Sequence, residues 1–165
     1  MKQDSSQIGF ADLVAEKRLK KHTFSERIDQ IIDWAPIKET IDACYDKGTK
    51  IRGRRSFDGL VLFKLELLRL WYRLSDTMLE TQVNDKLSFT HFAGLSLQQH
   101  VPDTTTLRRF RHALTKAGVY DTLMEEINHQ LEHKHFHLRR GSFKEPVLTV
   151  RKHARKNTTS QKESL

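Results

Sequence analysis

Apolar residues recur three and four positions apart along most of this chain, and that spacing predicts amphipathic helices. The first apolar stripe consists of Phe24, Ile28, Ile31, Ile32 and Ala35. Pro36 then breaks that helix or opens the next one in its first turn. The second stripe consists of Ile37, Ile41, Cys44 and Tyr45. The Asp-Lys-Gly at 46–48 is predicted to end the second helix.

The segment "LVLFKLELLRLWYRL" at 60–74 is the most apolar part of the chain and predicts the central helix. Its apolar stripe consists of Leu60, Phe63, Leu67, Leu70, Trp71 and Leu74. Beyond it, Thr77 and Glu80 fit a capping box at the start of a further helix. The apolar side of that helix is predicted to be Met78, Leu79 and Val83. The stretch "SFTHFAGLSL" at 88–97 then predicts a short helix that stops at Gly94.

The stretch "VPDTTTLRRFRHAL" at 101–114 predicts a well-defined helix start. Pro102 biases the residue before it away from helix, and Asp103 is a good N-cap for a helix over 103–117. The apolar face of this helix consists of Leu107, Phe110, Leu114 and Ala117. A last helix is predicted over about 119–135, and its apolar residues are Leu123, Met124, Ile127 and Leu131.

These elements predict an all-α fold, a helical bundle with a helix-turn-helix-like unit. The chain has few helix-breaking residues, with three prolines and seven glycines, and this favours long helices. Strand alternation is missing apart from "PVLTV" at 146–150. Residues 139–165 carry eight basic and two acidic side chains, so a basic, disordered C-terminal tail is expected. The predicted organisation is an N-terminal helical segment at 1–56, a second helical region at 57–138 and the tail at 139–165.

The net charge of +8 and the pI near 9.7 favour a polyanionic partner, with nucleic acid before an anionic membrane. Charge alone leaves RNA binding open. A single cysteine, Cys44, permits no intramolecular disulfide and suits a reducing compartment. The N-terminus has no apolar core of signal-peptide length, and charged residues interrupt the apolar segment at 60–74. We therefore expect a soluble cytoplasmic protein without membrane association.

The polar side of the helix at 103–117 combines small hydroxyls in its first turn with arginines behind them. These residues suit a helix that enters a DNA groove, where early residues meet base edges and basic groups hold phosphates. The segment Thr77–Leu95 would supply the supporting helices. The predicted DNA-binding residues are Thr104, Thr105, Arg108, Arg109, Arg111 and, in the basic loop at 50–59, Arg52, Arg54 and Arg55. The alternative for each group is a solvated basic surface without a partner.

Three blocks in order, "WYRLSD", "LSFTHFAGLSL" and "VPDTTTLRRFRHAL", continue into "GVYDTLMEEINHQL". Over about Phe57 to Gly141 the chain resembles the N-terminal region of bacterial insertion-sequence transposases of the DDE type, in the IS-five group. The resemblance implies binding of transposon terminal repeats in DNA transposition. In that family the helical region precedes an RNase-H-like catalytic core, whose two aspartates and one glutamate bind divalent metals such as Mg²⁺.

The chain departs from the family pattern where the first catalytic aspartate is expected. "GSFKEPVLTV" places Glu145 at that position, and the second aspartate and the glutamate have no counterpart. One carboxylate cannot assemble a two-metal site. We therefore expect a truncated transposase with no catalytic residues, no cofactor and no strand transfer by this chain alone.

Two other functions remain open at this stage. A truncated transposase could repress transposition by occupying transposon ends, or by pairing with itself or with the full-length transposase. The helices could also form a dimerisation module without specific DNA binding.

The stretch "HQLEH" at 129–133 matches the H-x-x-E-H pattern of inverted zinc proteases. His129 and His133 share a helical face, but such a site needs a third ligand well downstream. We expect a polar helix end, where histidines suit the helix dipole, and no metal site.

Overall fold

The computed structural model describes Val14 and residues 23–45, 56–139 and 147–150. Between Thr23 and Val150 these residues form seven α-helices and one two-stranded antiparallel sheet, which confirms the all-α prediction. The elements are α1 (Phe24–Ile31), α2 (Trp34–Cys44), α3 (Gly59–Trp71), α4 (Asp76–Asp85), α5 (Leu87–Ala93), α6 (Thr104–Lys116), α7 (Tyr120–His133), β1 (Phe136–Arg139) and β2 (Val147–Val150).

Side-chain caps fix where several helices begin. Thr23 and Glu26 form a capping box at α1, and Asp33 and Asp58 cap α2 and α3. The capping box predicted at Thr77 and Glu80 is wrong. Helix α4 starts earlier because the Ser75 hydroxyl accepts a hydrogen bond from the Met78 amide at 3.1 Å. Met78, predicted on the apolar side of α4, is 49 % exposed, whereas Leu79 and Val83 are buried as predicted.

Helix α3 is the central helix, as the sequence predicted, and it packs against α2, α4, α5 and α6. Its buried apolar residues are Leu62, Phe63, Leu65, Leu67, Leu68 and Trp71. This set surrounds the helix more completely than one stripe would, because neighbouring helices cover several of its sides. Within the described ranges, none of the helices combines the length and apolar character needed to span a bilayer.

Helix α7 closes the bundle over the corner between α1 and α2. Leu123, Ile127 and Leu131 are buried. Gln130 makes hydrogen bonds to the backbone between α1 and α2. The Gln130 side chain accepts a hydrogen bond from the Asp33 amide at 2.7 Å and donates one to the Asp33 carbonyl at 3.1 Å. These contacts join residues 97 positions apart, so α7 belongs to the same packed unit as α1 and α2.

The sheet corrects part of the tail prediction. Residues 147–150 form β2, which pairs antiparallel with β1 so that Phe136 lies opposite Val150 and Arg139 lies opposite Val147. Disorder is therefore wrong for Arg139 and for residues 147–150, because the backbone pairing of β1 with β2 orders them. Residues 140–146 and 151–165 lie outside the described residues, and for them the tail remains a prediction.

Gly59 lies where the first turn of α3 meets α2. A Cβ atom there would lie 2.5 Å from Ile41 Cγ2 and 3.1 Å from Tyr45 Cδ1. We expect Gly59→Ala to lower the free energy of unfolding by about 1–3 kcal/mol through overpacking, although alanine is the better helix former. Denaturant unfolding tests this.

The control for this prediction removes the neighbour that the new methyl group would meet. Ile41→Ala in the Gly59→Ala background should cost less than the two single changes together, because the close contact is then absent. Unchanged or higher stability of Gly59→Ala itself would contradict close packing at this corner.

Candidate nucleic-acid interface

Helix α6 begins as its sequence predicts. Asp103 is the N-cap, and its carboxylate accepts a hydrogen bond from the Thr106 amide at 2.7 Å. At the other end, Lys116 lies in the last turn and Gly118 adopts a φ of 71°, a left-handed conformation that glycine tolerates best. Asp103 and Gly118 therefore delimit this helix.

The two faces of α6 differ sharply. Leu107, Phe110 and Leu114 are buried, as predicted. Ala117, predicted on the same face, is exposed because the helix ends at Lys116 and Ala117 is its C-cap. On the opposite side, the exposed residues of the predicted site are Thr105, Arg108 and Arg109, and Thr104 is half-buried.

Charge is distributed unevenly between α6 and its neighbours. Helix α6 contains four lysines and arginines and no acidic residue. Helix α7, the next element, contains four acidic residues and no lysine or arginine. Among the seven described helices, α6 is therefore the one that presents a strongly positive side to solvent, and such a side attracts polyanions.

Arg111 is a correction to the predicted site. The sequence placed it on the solvent side with Arg108 and Arg109, but its side chain is only 26 % exposed. Its Nε and Nη2 donate to the two carboxylate oxygens of Glu66 at 3.1 and 3.0 Å, and Nη2 also donates to Asp76 Oδ1 at 2.7 Å. The helical position of Arg111 turns it toward α3 and α4, where it meets two carboxylates.

Glu66 is the centre of a buried polar cluster, and its side chain is 2 % exposed. Arg69 donates to the same carboxylate from Nε at 2.9 Å and Nη2 at 2.7 Å, and the Tyr120 hydroxyl donates at 2.8 Å. The cluster of Glu66, Arg69, Asp76, Arg111 and Tyr120, hereafter the Glu66 cluster, therefore connects α3, α4, α6 and α7.

The pKa values within the Glu66 cluster follow from these contacts. Burial would raise the pKa of Glu66, but hydrogen bonds from Arg69, Arg111 and Tyr120 outweigh burial and lower it. Burial, reinforced by the hydrogen bond to Glu66, raises the pKa of Tyr120 to about 12. The hydrogen bond from Arg111 is the largest cause that lowers the pKa of Asp76, and the nearby charge of Arg108 adds to it. The cluster is therefore fully ionised at neutral pH, apart from the neutral phenol of Tyr120.

Glu66, Asp76 and Tyr120 were not predicted from the sequence as parts of this region. One signal was available, since Glu66 is the single acidic residue of a mostly apolar helix and has an arginine three positions later. The pairing with Arg111 is 45 residues distant, so no local pattern predicts it.

The predicted supporting helices adjoin α6 through α4, which packs against both α5 and α6. The connection between α5 and α6 is ten residues, 94–103, and the turn of a helix-turn-helix is usually about three or four residues. The short turn therefore does not occur between these two helices.

The other sequence candidates divide into two groups. Arg52, Arg54, Arg55 and Glu145 lie outside the described residues. His129 and His133 are exposed on α7 with ring centroids 6.4 Å apart. In the described ranges, no group of three or more histidine, cysteine, aspartate or glutamate side chains is arranged to hold a metal ion.

Comparison with known protein families adds one match. The family model described as Transposase domain (DUF772) matches residues 13–113. That range covers more than half of the chain and includes most of α6. No solved structure matches the chain.

Proposed function

Because the chain belongs to the transposase domain family (DUF772), we propose that it binds DNA through the exposed basic side of α6 and recognises transposon ends. The observation that carries this proposal is the concentration of positive charge on one exposed helix side, on Arg108 and Arg109. Basic side chains that project from a helix neutralise phosphates, which supplies a large share of the affinity in protein–DNA binding.

The proposed orientation places the N-terminal turn of α6 closest to the bases. Thr105 is exposed in that turn, and its hydroxyl can donate to or accept from a base edge. Arg108 and Arg109 follow within one turn and would contact phosphates or guanine. Helix α4 supports α6 from behind, as the first helix of a helix-turn-helix supports the second.

The finer parts of the proposal rest on the resemblance to IS-five transposases and on charge. We propose the terminal repeats of an insertion sequence as the DNA that is recognised. Arg52, Arg54 and Arg55 are proposed as additional phosphate contacts. Selection from a random duplex library tests sequence recognition, and an enriched motif shared with inverted repeats would support it.

We expect Arg108→Ala and Arg109→Ala each to weaken duplex DNA binding while leaving the melting temperature nearly unchanged, because exposed substitutions usually cost little stability. A phosphate contact that is lost should reduce the slope of log affinity against log salt by about one unit. The measurement is a salt series of DNA affinity, paired with thermal melting of the same variants.

Arg27→Ala is the matched control, since Arg27 is an exposed arginine on α1 and its removal changes the net charge by the same amount. This variant should keep the wild-type salt slope. If the α6 variants bind like Arg27→Ala at every salt concentration, α6 is not the DNA-binding helix. Dimerisation of a chain that shows no salt-dependent DNA binding would instead favour the interaction-module function.

A further inference from the structure

One guanidinium group, that of Arg111, fixes α6 against two other helices. It donates from two nitrogens to Glu66 in the middle of α3, and from one of them also to Asp76 in the first turn of α4. A two-nitrogen contact with a carboxylate restricts both distance and rotation, which a single hydrogen bond does not. The position of α6 about its own axis is therefore restricted at Arg111.

Arg111 and the exposed basic side of α6 are close neighbours along the helix. Arg108 precedes Arg111 by three positions, so the two side chains project from adjacent parts of the helix surface. Both arginines act on Asp76, because the hydrogen bond from Arg111 and the charge of Arg108 each lower its pKa. Asp76 therefore lies at the boundary between the Glu66 cluster and the exposed arginines.

An acidic residue at the edge of a DNA-binding surface is unfavourable for affinity in itself, because it repels phosphate. Its side chain is only 19 % exposed and is occupied by Arg111. The hydrogen bond between Asp76 and Arg111 outweighs that repulsion if it sets the direction in which Arg108 and Arg109 project.

We propose that Asp76 and Arg111 are positioning residues for DNA binding, and that they orient α6 so that Arg108 and Arg109 reach phosphates together. This inference rests on the proposed function and adds a role for two residues that themselves do not touch DNA. It assigns Arg111, an arginine in the basic run of α6, to a function different from that of its neighbours.

The test uses a change whose electrostatic and positioning effects have opposite signs. Asp76→Asn removes a negative charge near the basic side of α6, and on charge alone it should strengthen DNA binding. Positioning predicts the reverse. We expect affinity for a duplex of about 20–30 base pairs to fall by about tenfold, and the salt slope to fall by about one to two units as phosphate contacts are lost.

Asp85→Asn is the control, because it removes the same charge from an exposed position at the far end of the same helix. It should leave DNA affinity unchanged or slightly higher. All variants are compared at a temperature where circular dichroism shows them folded, and stoichiometric titration gives the active fraction. A merely structural role would change the melting temperature without changing the salt slope of the folded protein.

A second variant keeps the inference testable if Asp76→Asn does not fold. Arg111→Lys retains the charge but loses the two-nitrogen contact with Glu66. If Arg111 were a phosphate contact, lysine should largely preserve the salt slope; positioning predicts that the slope falls. The double variant Asp76→Asn/Arg111→Lys should be no weaker than the worse single variant, because both changes loosen the anchoring of the same guanidinium group.

The possible results distinguish positioning by Asp76 and Arg111 from DNA binding by α6 itself. Weaker binding and a lower slope for Asp76→Asn, with Asp85→Asn like wild type, would support positioning. Binding by Asp76→Asn or Arg111→Lys that equals or exceeds that of wild type would overturn it and leave DNA binding by α6 intact. A wild-type chain without salt-dependent DNA binding would overturn both, because α6 would then have no DNA-binding face to orient.

Discussion

Replacing Glu66 with glutamine is expected to lower the free energy of unfolding by about 3–5 kcal/mol, the range typical when one partner of a buried ion pair is removed. The carboxylate accepts five hydrogen bonds, from two nitrogens each of Arg69 and Arg111 and from the Tyr120 hydroxyl. A glutamine amide offers one acceptor oxygen and directs its own N–H groups at these donors. Two partly buried guanidinium groups would then share one remaining carboxylate, that of Asp76. Denaturant unfolding at neutral pH measures the loss.

Glu39→Gln is the matched control, since Glu39 is exposed on α2 and the change in charge is the same. It should alter stability by no more than about 0.5 kcal/mol. Equal stability of the Glu66 and Glu39 variants would contradict a stabilising role for the Glu66 cluster.

The effect of Glu66 should also depend on pH in one direction. The pKa of Glu66 in the folded protein is below its ordinary value of 4.5, so its contribution is fully present above about pH 5. As the pH falls through the folded pKa, the carboxylate is protonated and that contribution is lost. The stability difference between wild type and Glu66→Gln should therefore narrow on acidification, and a difference that widens would contradict the lowered pKa.

Local sequence patterns predicted most of the helices because each pattern is fixed within one or two turns. Asp103 predicts the start of α6, and Gly94 predicts the end of α5, since both act on backbone groups a few residues away. The start of α4 was misplaced because Ser75 and Thr77 can both cap a helix, and the prediction followed the glutamate three residues after Thr77. Strand β1 escaped prediction because its partner lies eight or more residues later along the chain.

The candidate site was predictable only in part, for the same reason. Helical spacing places Phe110 and Arg109 on different sides of α6, so that Phe110 is buried and Arg109 is exposed. It also places Arg111 at the edge of the apolar stripe, closer to it than Arg108, but it does not show which side chains Arg111 would meet there. The burial of Arg111 follows from Glu66 and Asp76 on two other helices, and that arrangement exists only in the folded bundle.

The packed unit extends beyond the part of the chain that defines the family. The family match ends at residue 113, whereas α7 begins at Tyr120 and contributes Leu123, Ile127 and Leu131 to the core. Tyr120 also donates to Glu66. Helix α7 therefore completes both the apolar core and the Glu66 cluster behind α6.

Replacing Phe110 with alanine is the second change for which we expect a large effect. The ring is 1 % exposed, and it meets Tyr45 of the α2 C-cap edge to face at a centroid distance of 5.0 Å. Truncation removes this contact and leaves a cavity between α6 and the helices behind it, α2 and α3. The free energy of unfolding should fall by about 3–5 kcal/mol. Denaturant unfolding and DNA affinity are measured on the same samples.

Variants of the buried and of the exposed side of α6 should lose DNA binding for different reasons. Phe110→Ala should lose DNA binding only as the domain unfolds, so its affinity should recover when the temperature is lowered and the folded fraction rises. Arg109→Ala should melt like wild type and bind weakly at every temperature. Phe110→Leu is the control for volume and should cost less than Phe110→Ala, since most of the cavity is refilled. Wild-type stability of Phe110→Ala would mean that α6 is not anchored by this ring, and the assignment of a buried and an exposed side to α6 would then be wrong.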